Sequence, residues 1–257
     1  MDLELVGKRV LITGSSRGIG YGIANAFLSE GARVVLLDWE NNRLNQSAEK
    51  LCKVYGMDCV LAFAIDCADA RAWVKVITEI DTAWGGLDVA IANIGDGRGP
   101  QDALPDTERF ATAWRSNFIT SEETARATLP MLKASNGCLL FISSIAGLEA
   151  IGAPTDYSVA KSALIALTKQ MARRLAPLVR VNCIAPGNVY FPDGSWDEKI
   201  KKDPQRVEAI IQSTVPMKRF GIPSEIADAA LFLCCKRASF ITGSCLVVDG
   251  GQTIGIF

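Results

Sequence analysis

Short apolar runs recur along this chain, and between them lie longer segments whose apolar positions return every three or four residues. The runs at 9–13, 33–37, 59–64, 89–93, 138–143, 180–185 and 245–248 predict strands covered on both faces. The segments 18–30, 42–54, 71–84, 107–133, 154–176 and 223–235 are amphipathic and predict helices. Strands alternating with helices predict an α/β fold, a doubly wound parallel sheet of seven strands with helices on both faces. No repeat, low-complexity tract or linker divides the pattern, so residues 1–257 read as a single domain. The stretch 186–204 stands apart as irregular, with Gly, Pro and the aromatics Tyr190, Phe191 and Trp196. Long loops in compact domains are often lids, and a substrate lid is expected around 188–213.

With 257 residues, 49% of them hydrophobic, the chain can bury one large core. A formal charge of −1 gives no electrostatic reason to expect nucleic acid or a membrane surface as partner. No apolar run reaches the roughly 18 residues of a membrane span, and the opening Met1-Asp2-Leu3-Glu4 does not read as a signal peptide. Of the eight cysteines, Cys59, Cys138, Cys183 and Cys245 fall in predicted strands, and Cys52, Cys234 and Cys235 in helical segments. Small buried thiols in a reducing cytoplasm are the expectation.

The chain has no histidine. That removes a Ser-His-Asp triad, a His-ligated zinc and an imidazole base, so no metal site is expected and proton transfer falls to another side chain. Tyr157 and Lys161 stand four residues apart, and a helix over 154–176 puts them on one face. An ammonium beside a phenol stabilises the phenolate. Lowering a tyrosine pKa by roughly three units takes roughly 4 kcal/mol.

Thr13-Gly-Ser-Ser-Arg-Gly-Ile-Gly20 follows the first strand and opens the first helix. Gly14 and Gly18 permit a tight turn close to a pyrophosphate, and Gly20 lets the helix pack near the sheet. Together with Ser16, Arg17 and Ile19 at the helix start, they are the expected phosphate cradle of a Rossmann-type dinucleotide site. Asp38 ends the second strand, where a carboxylate accepts hydrogen bonds from an adenosine ribose and repels a 2′-phosphate. Arg17 pulls the other way, since a guanidinium can hold that phosphate. Asp38's charge falls at the 2′ position itself, so NAD(H) is preferred and NADP(H) is possible.

Taken with Asn93-Ile-Gly95, Asn117, Ser144, Tyr157-x-x-x-Lys161, Ala185-Pro-Gly187 and Asp249-Gly-Gly251, the glycine pattern resembles the short-chain dehydrogenase/reductase family in its single-domain branch. The resemblance covers nearly the whole chain. It implies Tyr157 as general acid/base, Lys161 lowering the tyrosine pKa and holding the nicotinamide ribose, and Ser144 bonding the carbonyl or hydroxyl. Asn117 would hold a water chain behind Lys161. The family's serine usually stands thirteen residues before the tyrosine, which selects Ser144 over Ser143. The resemblance also puts Asp66 and Cys67 at the adenine, with a helix N-cap the other reading of Asp66. Asn93 and Gly95 would pass along the adenosine ribose, and Pro186, Gly187 and Val189 would lie by the nicotinamide. Two departures touch the cofactor's surroundings: Ile94 replaces the usual alanine, and Phe191 replaces a threonine.

The expected pocket walls are 95–100, 145–151 and 188–196, with Ser144, Ile145, Glu149, Tyr190 and Trp196 meeting the substrate. Tyr190, Phe191 and Trp196 either close over a substrate or pack onto their own domain. Arg98 as an anion binder and Glu149 as an acceptor of substrate hydroxyls stand beside the plainer reading of solvated surface charges. The expected activity is NAD(H)-dependent interconversion of a small-molecule secondary alcohol and ketone. An NADPH-dependent 3-oxoacyl-thioester reductase is the alternative, and a non-catalytic dinucleotide sensor a weaker one. The resemblance further implies a homotetramer, or a dimer, formed through 107–133 and 154–176. Phe110, Trp114 and Phe118 give the first of these an apolar stripe, which faces either a second subunit or the core.

Overall fold

Alternation along the strands divides the core in two. Val10, Ile12, Val34 and Leu36 point to one side, while Leu11, Val35 and Leu37 point to the other, and all are fully buried. A strand buried on both faces needs a helical layer on each, and the computed structural model supplies both. It describes residues 2–256; Phe257 and Met1, the first residue of the opening stretch read above, lie outside the described residues.

The first half runs β1 (Arg9–Thr13), α1 (Gly18–Ser29), β2 (Arg33–Asp38), α2 (Asn41–Tyr55), β3 (Val60–Ala64), α3 (Ala72–Trp84) and β4 (Val89–Ala92). The second runs α4 (Thr107–Trp114), α5 (Thr120–Ser135), β5 (Cys138–Ile142), α6 (Thr155–Leu175), β6 (Arg180–Pro186), α7 (Ser195–Lys202), α8 (Pro204–Thr214), α9 (Pro223–Cys234) and β7 (Cys245–Val248). Among the described residues the strands form one parallel seven-stranded sheet, ordered β3-β2-β1-β4-β5-β6-β7. One face packs on α1 and α9 through Ile23, Phe27, Ile226 and Ala230. The other packs on α3 and α6 through Trp73, Val76, Ile80 and Leu164. This is the Rossmann-type doubly wound sheet. The strand order reverses between β1 and β4, so the crevice at their carboxyl ends, after Thr13 and Ala92, is where such sheets bind ligands.

Three sequence expectations need correction. Cys59 lies in a 3-10 turn, Met57–Cys59, and not in the strand that follows it. Residues 107–133 are not one regular helix: a π-helical turn, Arg115–Ile119, separates α4 from α5. The stretch 186–204 is not wholly irregular, since it contains α7. That helix has few apolar positions, which hides its period. Asp197 and Glu198 in its first turn, with Lys199, Lys201 and Lys202 in its last, complement the helix dipole. Trp196 and Ile200 anchor α7 on Val207, Ile210 and Phe220, a small apolar cluster separate from the two main ones. No helix among the described residues is long and apolar enough to cross a membrane.

Candidate active site

The crevice opens into a cleft of about 1600 Å³ that runs from Asp38 and Trp39 past Gly14 and Gly95 to Ser144, Tyr157 and Lys161, and on to α7 and α8. Pockets for one drug-sized ligand hold roughly 300–1,000 Å³, so this one has room for two reactants side by side.

Tyr157 and Lys161 sit one turn apart on α6, as their spacing requires. Asp156 fixes the start of that helix: its fully buried carboxylate accepts from the Tyr157 N–H at 2.8 Å and pairs with Arg109 at 2.9 Å. The Lys161 ammonium lies 5.9 Å from the centre of the Tyr157 ring and donates to the Ile142 carbonyl at 2.9 Å. Both serines line the cleft, but Ser143 is buried with its hydroxyl spent on the Lys161 carbonyl at 2.8 Å, whereas Ser144 lies beside the phenol.

The titration of the pair differs from the sequence expectation. Burial pushes the Tyr157 phenol above the usual tyrosine value, with hydrogen bonding to Ser144 working against it and the charge of Asp96 adding to it. Burial also pulls Lys161 down to about 8. Desolvation outweighs attraction here because the amine is turned to a carbonyl rather than to the phenol.

Asn117 belongs to the π-helical turn, a distortion that recurs at functional sites. The wider turn aims its amide at the loop after β4, where its Oδ1 accepts from the Asp96 N–H at 2.9 Å and its Nδ2 donates to the Asp96 carbonyl at 3.1 Å. Gly95 is pressed between Asn117 and the lysine. A Cβ there would stand 2.7 Å from Lys161 Nζ and 2.9 Å from Asn117 Oδ1, so a side chain at 95 would part them.

At the other end, Gly14 and Gly18 adopt the positive φ angles of a tight turn. A Cβ on Gly20 would strike the Gly14 carbonyl and stand 2.6 Å from the Asn93 amide at the end of β4, so this glycine both closes the turn and lets the helix pack near the sheet. Asp38 is held by the Ser16 hydroxyl at 2.6 Å and the Trp39 N–H at 2.8 Å. The open cradle at Gly14, the N-terminus of α1 beside Ile19 and the carboxylate at the tip of β2 fit a nicotinamide dinucleotide. Phe191 occupies the place of the missing threonine hydroxyl, its ring against Gly18. Ile94 packs into the core below the sheet and crowds Gly14.

Several predicted contacts are engaged elsewhere. Asn93 lines the cleft but spends its amide on the Thr13 and Gly14 carbonyls, tying β4 to β1. Asp66 and Cys67 are not among the residues lining the cleft: Asp66 pairs with Arg115 at 2.5 Å, and the Cys67 carbonyl accepts from Trp73. Arg17 donates to the Asp193 carbonyl at 2.8 Å. Glu149 does not present a free carboxylate to the cleft; it accepts the N–H groups of Ile254, at 3.0 Å, and Gly255. The Tyr190 hydroxyl turns back to Asp197 at 3.3 Å, while Trp196 lines the cleft against Phe220. Ile145, Pro186, Gly187 and Val189 line it too. Sequence reasoning missed Arg43, Lys199, Lys202, Arg206 and Ile254 on its walls. A basic face on α7 was the available signal for two of these, but it lay in the stretch read as irregular.

The chain matches the family model described as enoyl-(acyl carrier protein) reductase over residues 14–253. It is 33% identical to a 3-oxoacyl-[acyl-carrier-protein] reductase of Chlamydia muridarum, over 98% of this chain and 100% of that protein. The chain belongs to the short-chain dehydrogenase/reductase family. Family relatives also include the L-fucose dehydrogenase of Bos taurus, 33% identical over 99% of this chain and 93% of its own length. Among solved short-chain dehydrogenase/reductase structures, the L-sorbose reductase of Gluconobacter frateurii, complexed with NADPH and L-sorbose, superimposes with a TM-score of 0.92. It shares 31% identity, and each chain is covered in full. The chain is thus an oxidoreductase of this family.

Proposed function

We propose that the chain interconverts a small-molecule secondary alcohol and a ketone with NAD(H). The observation that carries this reading is the meeting of the Tyr157 and Ser144 hydroxyls and the Lys161 amine on one wall of a cleft whose other end fits a dinucleotide. When bound, the dinucleotide supplies or accepts a hydride at the substrate carbon. Tyr157 gives its proton to the substrate oxygen during reduction and takes it back during oxidation. Ser144 donates a hydrogen bond to that oxygen, Lys161 stands by the nicotinamide ribose, and Asn117 holds the loop at Asp96 and Gly95 in place behind them. A phenol kept protonated by burial is ready to donate, which suits ketone reduction near neutral pH.

The preference for NAD(H) rests on Asp38, together with two arginines of the cleft wall. Arg17 donates to the lid backbone and Arg43 stands 3.8 Å from Glu40, engagements that compete with a 2′-phosphate and support this reading. The NADPH of the L-sorbose reductase structure and the 3-oxoacyl-[acyl-carrier-protein] reductase among the relatives favour the second reading, an NADPH-dependent 3-oxoacyl-thioester reductase. The thiols fit a reducing cytoplasm, and the assembly proposed is a homotetramer.

Tyr157→Phe tests the chemistry. Its dinucleotide Kd is expected to stay at the wild-type value while kcat falls about 10²–10⁴-fold, the usual contribution of a positioned acid. A variant turning over near the wild-type rate would overturn the assignment.

A further inference from the structure

The lid helix α7 turns cations toward the cleft. Trp196, Lys199 and Lys202 recur at three-residue steps and line it, and Arg206 on α8 continues the same wall. The other ionisable residues of α7 are paired: Asp197 with Lys201 at 2.7 Å, and Glu198 with Arg98 at 3.0 Å. Lys199, Lys202 and Arg206 have no carboxylate within 4.0 Å among the described residues. Asp203, next to Lys202 and also on the cleft wall, accepts the Arg206 N–H at 3.0 Å and caps α8. Lys199 lies 4.1 Å from the centre of the Trp196 ring, which fixes its ammonium at the cleft wall.

These cations also repel one another. Burial holds the Lys199 amine below the usual lysine value, and the charge of Arg206 lowers it further. A chain with a formal charge of −1 has no general excess of cations to scatter here. Three cations with no ion-pair partner within 4.0 Å on the wall of a reaction cleft are relieved by an anion.

We propose that Lys199, Lys202 and Arg206 bind an anionic group, a carboxylate or a phosphate, carried by the substrate away from its reacting carbon. The inference rests on the oxidoreductase reading above and names the class of substrate: a ketone or alcohol bearing a negatively charged tail. Lys199, Lys202 and Arg206 belong to α7 and α8 and not to the Gly14–Gly20 turn that would take the dinucleotide's phosphates, so the anion proposed is one carried by the substrate.

The test compares wild type with the triple variant Lys199→Gln, Lys202→Gln, Arg206→Gln on three ketones of equal length, ending in a methyl, a carboxylate or a phosphate. In wild type the charged ketones are expected to exceed the methyl ketone in kcat/KM. In the triple variant that ratio is expected to fall at least tenfold, and added salt should lower it in wild type alone. The larger of the two charged ratios identifies carboxylate or phosphate as the group. Equal ratios in both proteins overturn the inference and leave the oxidoreductase reading standing. If no ketone is reduced by either protein, that reading fails, and titration calorimetry with inorganic phosphate decides the anion site. Binding heat in wild type that vanishes in the triple variant sustains the site, and heat absent from wild type or equal in both overturns it.

Discussion

Lys161 is a buried charge: the residue is 2% exposed, its amine has no carboxylate partner among the described residues, and burial holds it at about 8. An unfolded lysine titrates near ~10.4, so between those values the folded chain binds fewer protons than the unfolded one and stability rises with pH. The penalty is full below about pH 8, on the order of 3 kcal/mol, and is gone above about pH 10.4. Lys161→Met, measured without added dinucleotide, is therefore expected to melt several degrees higher than wild type at pH 7, with the gap closing by pH 10.5. A gap that persists unchanged at high pH would mean that packing, not charge, is responsible. Asp38→Ala is expected to raise the NADP-to-NAD ratio of kcat/KM about tenfold, equivalent to ~1.4 kcal/mol, and an unchanged ratio would show that Asp38 does not read the ribose. Residues such as Tyr157, Lys161 and Ser144 were legible because their spacing along the chain is their geometry. Asp66 and Glu149 were not, because their partners, Arg115 and Ile254, lie 49 and 105 residues away.

The elements repeat that division between local and distant causes. Strands buried on both faces and helices with clear periods were readable to within a residue or two. The π-helical turn was not, since nothing in Arg115-Ser-Asn-Phe-Ile119 breaks the helical pattern, and the reason for the turn is the distant Asp96 peptide that Asn117 grips. The segment from Gln252 onward was equally silent, yet it forms a strap across the cleft. Gln252 accepts the Asn188 N–H at 3.0 Å from the loop after β6, and Glu149 holds Ile254 and Gly255 from the loop after β5. A carboxylate accepting two successive backbone N–H groups binds more strongly than the neutral amide that would replace it. Glu149→Gln should therefore loosen the strap: faster amide exchange at Ile254 and Gly255, and a KM several-fold higher with kcat changed less. Deleting the chain from Ile254 onward should have the same kinetic effect, and the two changes together no more than either alone. Additive effects would mean that Glu149 acts on the substrate and not through the strap.

Two apolar faces remain open at separate places on the molecule, and each is the kind of surface a second copy covers. One surrounds the stripe on α4, where Leu104 is 77% exposed, Phe110 and Trp114 are half-buried, and Trp114 stacks on Phe118 at 4.5 Å. Part of the predicted stripe thus serves its own core, since Phe118 packs there, and part faces outward. The other face is β7, an edge strand whose Leu246 and Val247 are 36% and 38% exposed. An edge left open is a template for pairing, and proteins that keep one either guard it or use it. Closed symmetric assemblies bury such a patch against its own copy around a two-fold axis, and two distinct patches with crossed axes close a tetramer of four identical chains. The homotetramer proposed above then makes a prediction for each face. Phe110→Glu with Trp114→Glu places charge in the first face and should leave dimers joined through β7. Leu246→Lys with Val247→Glu should leave dimers joined through α4 and α5, and the four changes together should give monomers in sedimentation at micromolar concentration. A tetramer that survives either pair of changes would show that the altered face is not an interface, and a monomeric wild type would show that neither is.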